Sequence, residues 1–290
     1  MGGQGGPAAL LTSLAEQLGS AQEARWILDR AADRWPELVE RRRAGEPLQY
    51  VLGSWPFRQL ELMVDRRVLI PRPETEQVVE VALAELARSC RSSASVDASV
   101  GGERKTTGGQ VCVDLGTGSG AIALTLATEG SALCDIEVWA TDISADALAV
   151  ARYNLDALAA MRSVPSVHLV EGGWFDALPP ELAGRIDLLV SNPPYVAEAD
   201  FDRLDRVVRD WEPRQALVAA LGSTGVGGTA AIEAIIGAAP DWLGPDGAMV
   251  IELDPGQASA MAAMASGAGF GRVAVKQDLA GRDRMLVARR

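Results

Sequence analysis

The stretch from Val111 to Gly120 constrains this chain more than any other. An apolar run, Val111-Cys112-Val113-Asp114-Leu115, ends on Gly116-Thr117-Gly118-Ser119-Gly120, and helical spacing resumes at Ala121. A short run without polar alternation suits a strand covered on both faces. Glycines directly behind it let the backbone turn tightly and approach a ligand. The same rhythm then recurs, with strands predicted over 137–140, 167–170, 186–190 and 249–253. Helices are predicted over 121–128, 145–160 and 229–239, and residues 272–276 and 285–288 read as a closing antiparallel pair. This alternation implies an α/β fold, a parallel sheet with helices on both faces, whose ligands bind at the carboxyl ends of the strands.

Ahead of this region the pattern differs. Leu10, Leu11, Leu14 and Leu18, then Ala24, Ile27, Leu28 and Ala31, fall at helical spacing, and Pro36 suits the first turn of a third helix. Residues 1–45 are therefore expected to be a small helical domain. Over 46–76, Tyr50-Val51-Leu52-Gly53 and the alternating Leu60 to Asp65 predict a β-hairpin or extended connector. Pro71 to Glu76 leads into a helix carrying Val78, Val79, Ala82, Leu83 and Leu86. The catalytic unit is expected over 77–290, interrupted at 89–109 by a mobile surface insertion that is almost free of apolar residues.

Composition prunes the chemistry. One histidine, His168, and three cysteines, Cys90, Cys112 and Cys134, leave almost nothing from which to build a zinc site or a Ser-His-Asp triad. No metal is expected, Cys112 reads as a small core residue, and His168 reads as structural. A net charge of −12 disfavours a phosphate backbone as substrate. No apolar run is long enough to span a bilayer, and Met1 to Leu18 lacks a basic n-region. The expectation is a cytoplasmic protein with no membrane partner.

Four motifs carry chemistry. The first is the glycine loop. Its G-x-G-x-G spacing, with Asp114 two residues before Gly116, departs from the G-x-G-x-x-G that cradles a pyrophosphate. It suits S-adenosylmethionine, whose ammonium group wants a carboxylate. The second is Asp142, at the end of the next strand, where a carboxylate can accept both ribose hydroxyls while Ser144 caps the following helix. The third is Trp174, after Gly172-Gly173, which is equally suited to lie against adenine or to pack in the core.

The fourth is Asn192-Pro193-Pro194-Tyr195, directly after the fourth strand of the sheet. Two prolines cannot continue a strand or helix, so they fix a rigid corner with unpartnered carbonyls. The Asn192 oxygen and a proline carbonyl can accept both hydrogens of an –NH₂ group, and Tyr195 can pack on a flat amide. An amide nitrogen is a weak nucleophile, so holding both its hydrogens while it faces a methyl sulfonium supplies orientation and favours the developing charge.

With these motifs in view, the chain resembles the release factor glutamine methyltransferase family (HemK/PrmC). The resemblance runs through Glu46-Pro47-Leu48-Gln49-Tyr50, Leu69-Ile70-Pro71-Arg72-Pro73-Glu74-Thr75-Glu76, the glycine loop, Asn192 to Tyr195, Glu212-Pro213-Arg214-Gln215-Ala216-Leu217 and Asp278 to Arg284. It implies a Rossmann-like class I methyltransferase sheet with an antiparallel C-terminal hairpin and an N-terminal helical domain. It also implies S-adenosylmethionine as cofactor and the Gly-Gly-Gln glutamine of a peptide chain release factor as acceptor. By resemblance, Asp114, Gly116, Thr117, Gly118, Ser119, Gly120, Asp142, Trp174 and Asn192 serve the cofactor, and Asn192, Pro193, Pro194 and Tyr195 the glutamine. The chain departs from the family at Gly173, where Asp is common, and at Glu252-Leu253-Asp254, where Glu-Ile-Gly or similar is usual. It is also shorter ahead of Glu46.

Three alternatives remain open at this point. They are an adenine exocyclic-amine methyltransferase, for which the same corner solves the same –NH₂ problem, a methyltransferase for a ribosomal protein glutamine, and an inactive adenosyl-ligand binder. Gly-Gly-Gln also occurs within the chain itself, at Gln4 and Gln110, in segments expected to be mobile, which raises self-methylation at either glutamine.

Overall fold

The computed structural model describes residues 7–97 and 109–290. Helices α1 (Pro7–Leu18), α2 (Ala21–Ala31) and α3 (Trp35–Arg43) pack around Leu14, Ala24, Ile27, Leu38 and Val39. Leu48 and Val51 of α4 (Leu48–Leu52) complete this small core. The strand-like reading of Tyr50-Val51-Leu52 is thus corrected to a helical turn. Pro47 opens it, and Gly53, at φ 77°, ends it. The hairpin follows as β1 (Ser54–Phe57) and β2 (Leu60–Met63). Asn154 fixes its position, accepting from the Met63 N–H at 2.7 Å and donating to the carbonyls of Met63 and Ser119.

Helix α5 spans Pro73–Asp97, so residues 89–97 of the segment expected to be an insertion continue the helix. Residues 98–108 of that segment lie outside the described residues. Cys90 on α5 is disulfide-bonded to Cys134. The sequence, which offers no close cysteine spacing, gives no signal for this pairing.

The sheet is built from β3 (Gln110–Leu115), β4 (Ile136–Asp142), β5 (Val167–Glu171), β6 (Ile186–Ser191), β9 (Leu243–Glu252), β10 (Arg272–Gln277) and β11 (Asp283–Arg289), in the order β10-β11-β9-β6-β3-β4-β5. The strands from β9 to β5 run parallel, and β11 pairs antiparallel with both β9 and β10. Helix α6 (Ala121–Glu129) and α7 (Ala145–Met161) cover one face together with α5, while α10 (Ala230–Trp242) and α11 (Ala258–Gly267) cover the other. Covered on both sides, β3 is buried from Val111 to Leu115, as its unalternating sequence requires. Between β6 and α10 lie the short β7 (Val196–Ala197) and β8 (Val218–Ala219), with α8 (Arg206–Trp211) and α9 (Arg214–Leu217) between them.

Chain order reverses between β3 and β6. From β3 the sheet grows one way through β4 and β5, and the other way through β6 and β9. The loops leaving β3 and β6 therefore open a crevice at their carboxyl ends, the place where an open α/β sheet takes its ligand. Gln110 sits at the opposite end of β3, its N–H bonded to the Asp135 carbonyl and its side chain to Ser89. This corrects the expectation of mobility there, since Gln110 is paired into β3 at the end away from the crevice. Gln4 lies outside the described residues.

Candidate active site

Strand register assembles the site. Thr141, Leu115, Ser191 and Ile251 lie in one row across β4, β3, β6 and β9. The next residue on each strand or its loop, Asp142, Gly116, Asn192 and Glu252, therefore stands along the carboxyl edge. These are the carboxylates, the glycine and the amide around which the crevice is formed.

The glycine loop is shaped by backbone bonds. The N–H groups of Gly116 and Thr117 both reach the Thr141 carbonyl at 2.9 Å. Gly116 has φ 75°, which favours glycine, and a Cβ there would just touch the Trp174 ring. Asp142 accepts from the Gly118 N–H at 2.8 Å and the Ser144 N–H at 2.9 Å, while the Ser144 hydroxyl caps α7 by accepting from Ala147. Burial raises the Asp142 pKa, and these backbone donors oppose the rise. Asp114 is deeper. One oxygen accepts from the Thr117 hydroxyl at 2.6 Å and the Ala123 N–H at 3.1 Å. The other, Oδ1, is buried without a partner among the described residues, and burial pushes the pKa up to about 7.

Two cavities meet at the corner after β6. Gly116, Asp142, Gly173, Trp174, Asn192 and Pro194 line one, with Gln215 and Ala216 across from them. Leu69, Arg72, Asn192, Pro193, Tyr195 and Leu217 line the other, and Ala216 again touches both. Successive residues of the corner thus face alternate cavities, with Asn192 shared between them. Trp174 lies at the mouth of the first and holds φ 46°, a conformation unusual for a bulky side chain, with its carbonyl accepting from the Thr141 hydroxyl at 3.2 Å. Thr117, Gly118, Ser119 and Gly120 shape the glycine loop from behind rather than lining either cavity, and Asp114 does the same.

Residues that sequence reasoning passed over hold the corner. The Asn192 Nδ2 donates to the Thr75 hydroxyl at 3.1 Å, and that hydroxyl donates to Glu252 at 2.7 Å. Tyr195 donates to the other Glu252 oxygen at 3.3 Å. Burial pushes the Glu252 pKa up to about 6, against the bonds from Thr75 and Tyr195 and the nearby Arg284 guanidinium. Gln257 donates to the carbonyls of Tyr195 and Gly227, both at 2.9 Å. Its own position comes from a capping box with Asp254, so the Leu253-Asp254 departure has a structural use. Glu212 pairs with Arg72 and accepts from the Ile70 N–H, tying α8 to the connector. A carboxylate at the end of β9, or a threonine one residue after a glutamate, carries no short-range signature, so only the family motifs, the one containing Thr75 and the tripeptide beginning at Glu252, could have drawn attention here.

His168 stacks on Trp139 with centroids 4.1 Å apart and pairs with Ser166 and Glu137 on the strand surface. Among the described residues no cluster of His, Cys, Asp and Glu is placed to hold a metal ion, and no helix is long and apolar enough to cross a membrane.

Comparison with known proteins places the chain by fold and by family. Residues 103–210 match the family model described as Methyltransferase small domain. The solved structure of the human Mettl16 catalytic domain with an RNA hairpin superposes with a TM-score of 0.56 at 14% identity, covering 85% of this chain and 80% of that one. A Thermus thermophilus 16S rRNA methyltransferase superposes at 0.51 and 19% identity, covering 82% and 49%. These show a shared fold. The release factor glutamine methyltransferase of Cereibacter sphaeroides is 38% identical over 89% of this chain and 80% of its own length. That of Bordetella pertussis is 40% identical over 87% and 80%. The chain belongs to the release factor glutamine methyltransferase family.

Proposed function

We propose that this protein transfers a methyl group from S-adenosylmethionine to the side-chain amide nitrogen of the Gly-Gly-Gln glutamine of a peptide chain release factor. The observation that carries this reading is the pair of cavities meeting at Asn192. With Nδ2 committed to Thr75, Oδ1 of Asn192 and the Pro193 carbonyl receive no donor from the described residues. They are two acceptors for the two hydrogens of one –NH₂.

The first cavity fits the cofactor. Asp142 offers a carboxylate to a ribose diol, Trp174 an aromatic face to adenine, and Gly116 a backbone that passes close to the ligand. Asp114, behind the loop, holds its shape by accepting from the Thr117 hydroxyl and the Ala123 N–H. Bound there, S-adenosylmethionine supplies an electrophilic methyl carbon on a sulfonium. The second cavity fits a glutamine: Leu69 and Leu217 suit its methylenes, and Tyr195 suits the amide plane.

Asn192 and Pro193 hold both amide hydrogens and aim the nitrogen across the corner. Their acceptor oxygens also favour the positive charge that develops on that nitrogen, and its proton, acidified by alkylation, leaves to water. No strong base is needed.

The test uses tritiated donor with purified release factor, with its loop glutamine replaced by alanine, and with nucleic acid. Label on the factor that vanishes with the glutamine supports the reading. Label on nucleic acid alone would transfer the same corner chemistry to an adenine amine, and label on neither would leave a binding protein.

A further inference from the structure

We propose that Thr75 and Glu252 are positioning residues that lock the Asn192 carboxamide in one of its two orientations, with oxygen toward the acceptor. The inference rests on the reading that Asn192 receives the acceptor amide. An asparagine carboxamide can be turned over with little change of shape, and its two ends are chemically opposite. If Nδ2 faced the acceptor cavity, two N–H donors would confront two N–H donors and the amide could not be held. Something must choose.

The choice follows from counting protons. Glu252 as a carboxylate only accepts. Thr75 has a single hydroxyl proton, and the 2.7 Å bond to Glu252 takes it. The hydroxyl therefore faces Asn192, 3.1 Å away, with lone pairs alone, and only Nδ2 can satisfy them. The other Glu252 oxygen accepts from Tyr195, so one carboxylate sets both the Asn192 orientation and the phenol that walls the acceptor cavity. Glu252 and Thr75 are 1% and 4% exposed, so water does not compete for these bonds. Thr75 lies in the first turn of α5 and Glu252 at the end of β9, 177 residues apart, so neither the loop nor the strand could impose this alone.

Asparagine occurs at only two positions, 154 and 192, which gives a direct readout. Protein labelled with ¹⁵N-asparagine shows two side-chain NH₂ pairs, and Asn192→Asp identifies the pair from 192. Thr75→Val, which keeps shape and removes the hydroxyl, is expected to move that pair and to speed its solvent exchange by about tenfold or more. It should also lower kcat on release factor by about 10- to 100-fold, with donor Kd within about threefold of wild type. Thr75→Ser restores the hydroxyl and should return both readouts to near wild type.

Should Thr75→Val fail to fold, Glu252→Gln serves. A neutral amide can offer Thr75 either a donor or an acceptor, so the 192 signals should double or broaden. An unmoved 192 pair in Thr75→Val, kcat within twofold of wild type, or equal damage from Ser and Val would overturn the proposal. The spectra need no acceptor, so a wild-type enzyme that leaves release factor unlabelled would refute the proposed substrate while the orientation lock is still decided.

Discussion

Asn192 combines a donor end fixed by the protein with an acceptor end left for the ligand. Asn192→Ala removes one preorganised acceptor from the reacting nitrogen. Turnover is expected to fall by about 3 kcal/mol or more, roughly a hundredfold, with donor affinity only modestly reduced. Steady-state kinetics alongside donor-binding calorimetry separates the two, and near-normal turnover would remove the corner from the mechanism. The same chain of bonds gives a pH dependence. Glu252 faces the Thr75 hydroxyl and the Tyr195 phenol, with Arg284 favouring its charge and burial and Glu74 opposing it, for a pKa of about 6. Once protonated, it can donate to Thr75 and free that hydroxyl to donate to Asn192 Oδ1, the oxygen the acceptor needs. kcat at saturating donor should therefore be level above pH 6 and fall as pH drops through it. Glu252→Gln should lack that limb, and a wild-type profile flat down to pH 5 would contradict the assignment.

At the scale of elements, the corner depends on segments that contribute no reacting atom. The loop between β8 and α10 packs against the Tyr195 backbone. Gly228, at φ 74°, lies so close that a Cβ would collide with the Tyr195 carbonyl. Gly228→Ala combines this clash with an unfavourable backbone angle and should cost about 1–3 kcal/mol of stability. It should also lower kcat more than donor affinity, because Tyr195 belongs to the acceptor side. Thermal melts with donor titration check both, and an unchanged melting temperature would show that the loop yields freely.

Elements were legible in the sequence to different degrees. The apolar strands and the glycine loop stand out because burial on both faces leaves no alternation. The turn over 48–52 did not, since Tyr50-Val51-Leu52 has β-forming side chains and is held helical by packing on the N-terminal core. The reach of α5 to Asp97 was hidden by serines, which serve surface helices and loops alike.

Across the whole molecule, the N-terminal helices and the seven-stranded sheet have separate cores, and the helices meet the β1–β2 hairpin at Trp26 and Trp55 and at the Arg30–Glu61 pair. No residue of 7–43 lines either cavity. Leu14→Ala, in a fully buried position, should cost about 2–5 kcal/mol where it acts. It should leave donor Kd unchanged, and a calorimetric titration showing weaker donor binding would mean that the two cores are coupled.

The sequence by itself determined the strand-and-helix rhythm, the glycine turn after β3 and the stiff diproline corner. Each is a local matter of which backbone angles and which faces a few neighbouring residues permit. The tertiary structure alone decided that Asp142, Gly116, Asn192 and Glu252 stand on one edge, and that Thr75 reaches Asn192 from helix α5. Register between strands and contact across 117 residues are properties of the packed sheet. No window of sequence contains them, because the atoms that meet are neighbours only after the chain has closed its core.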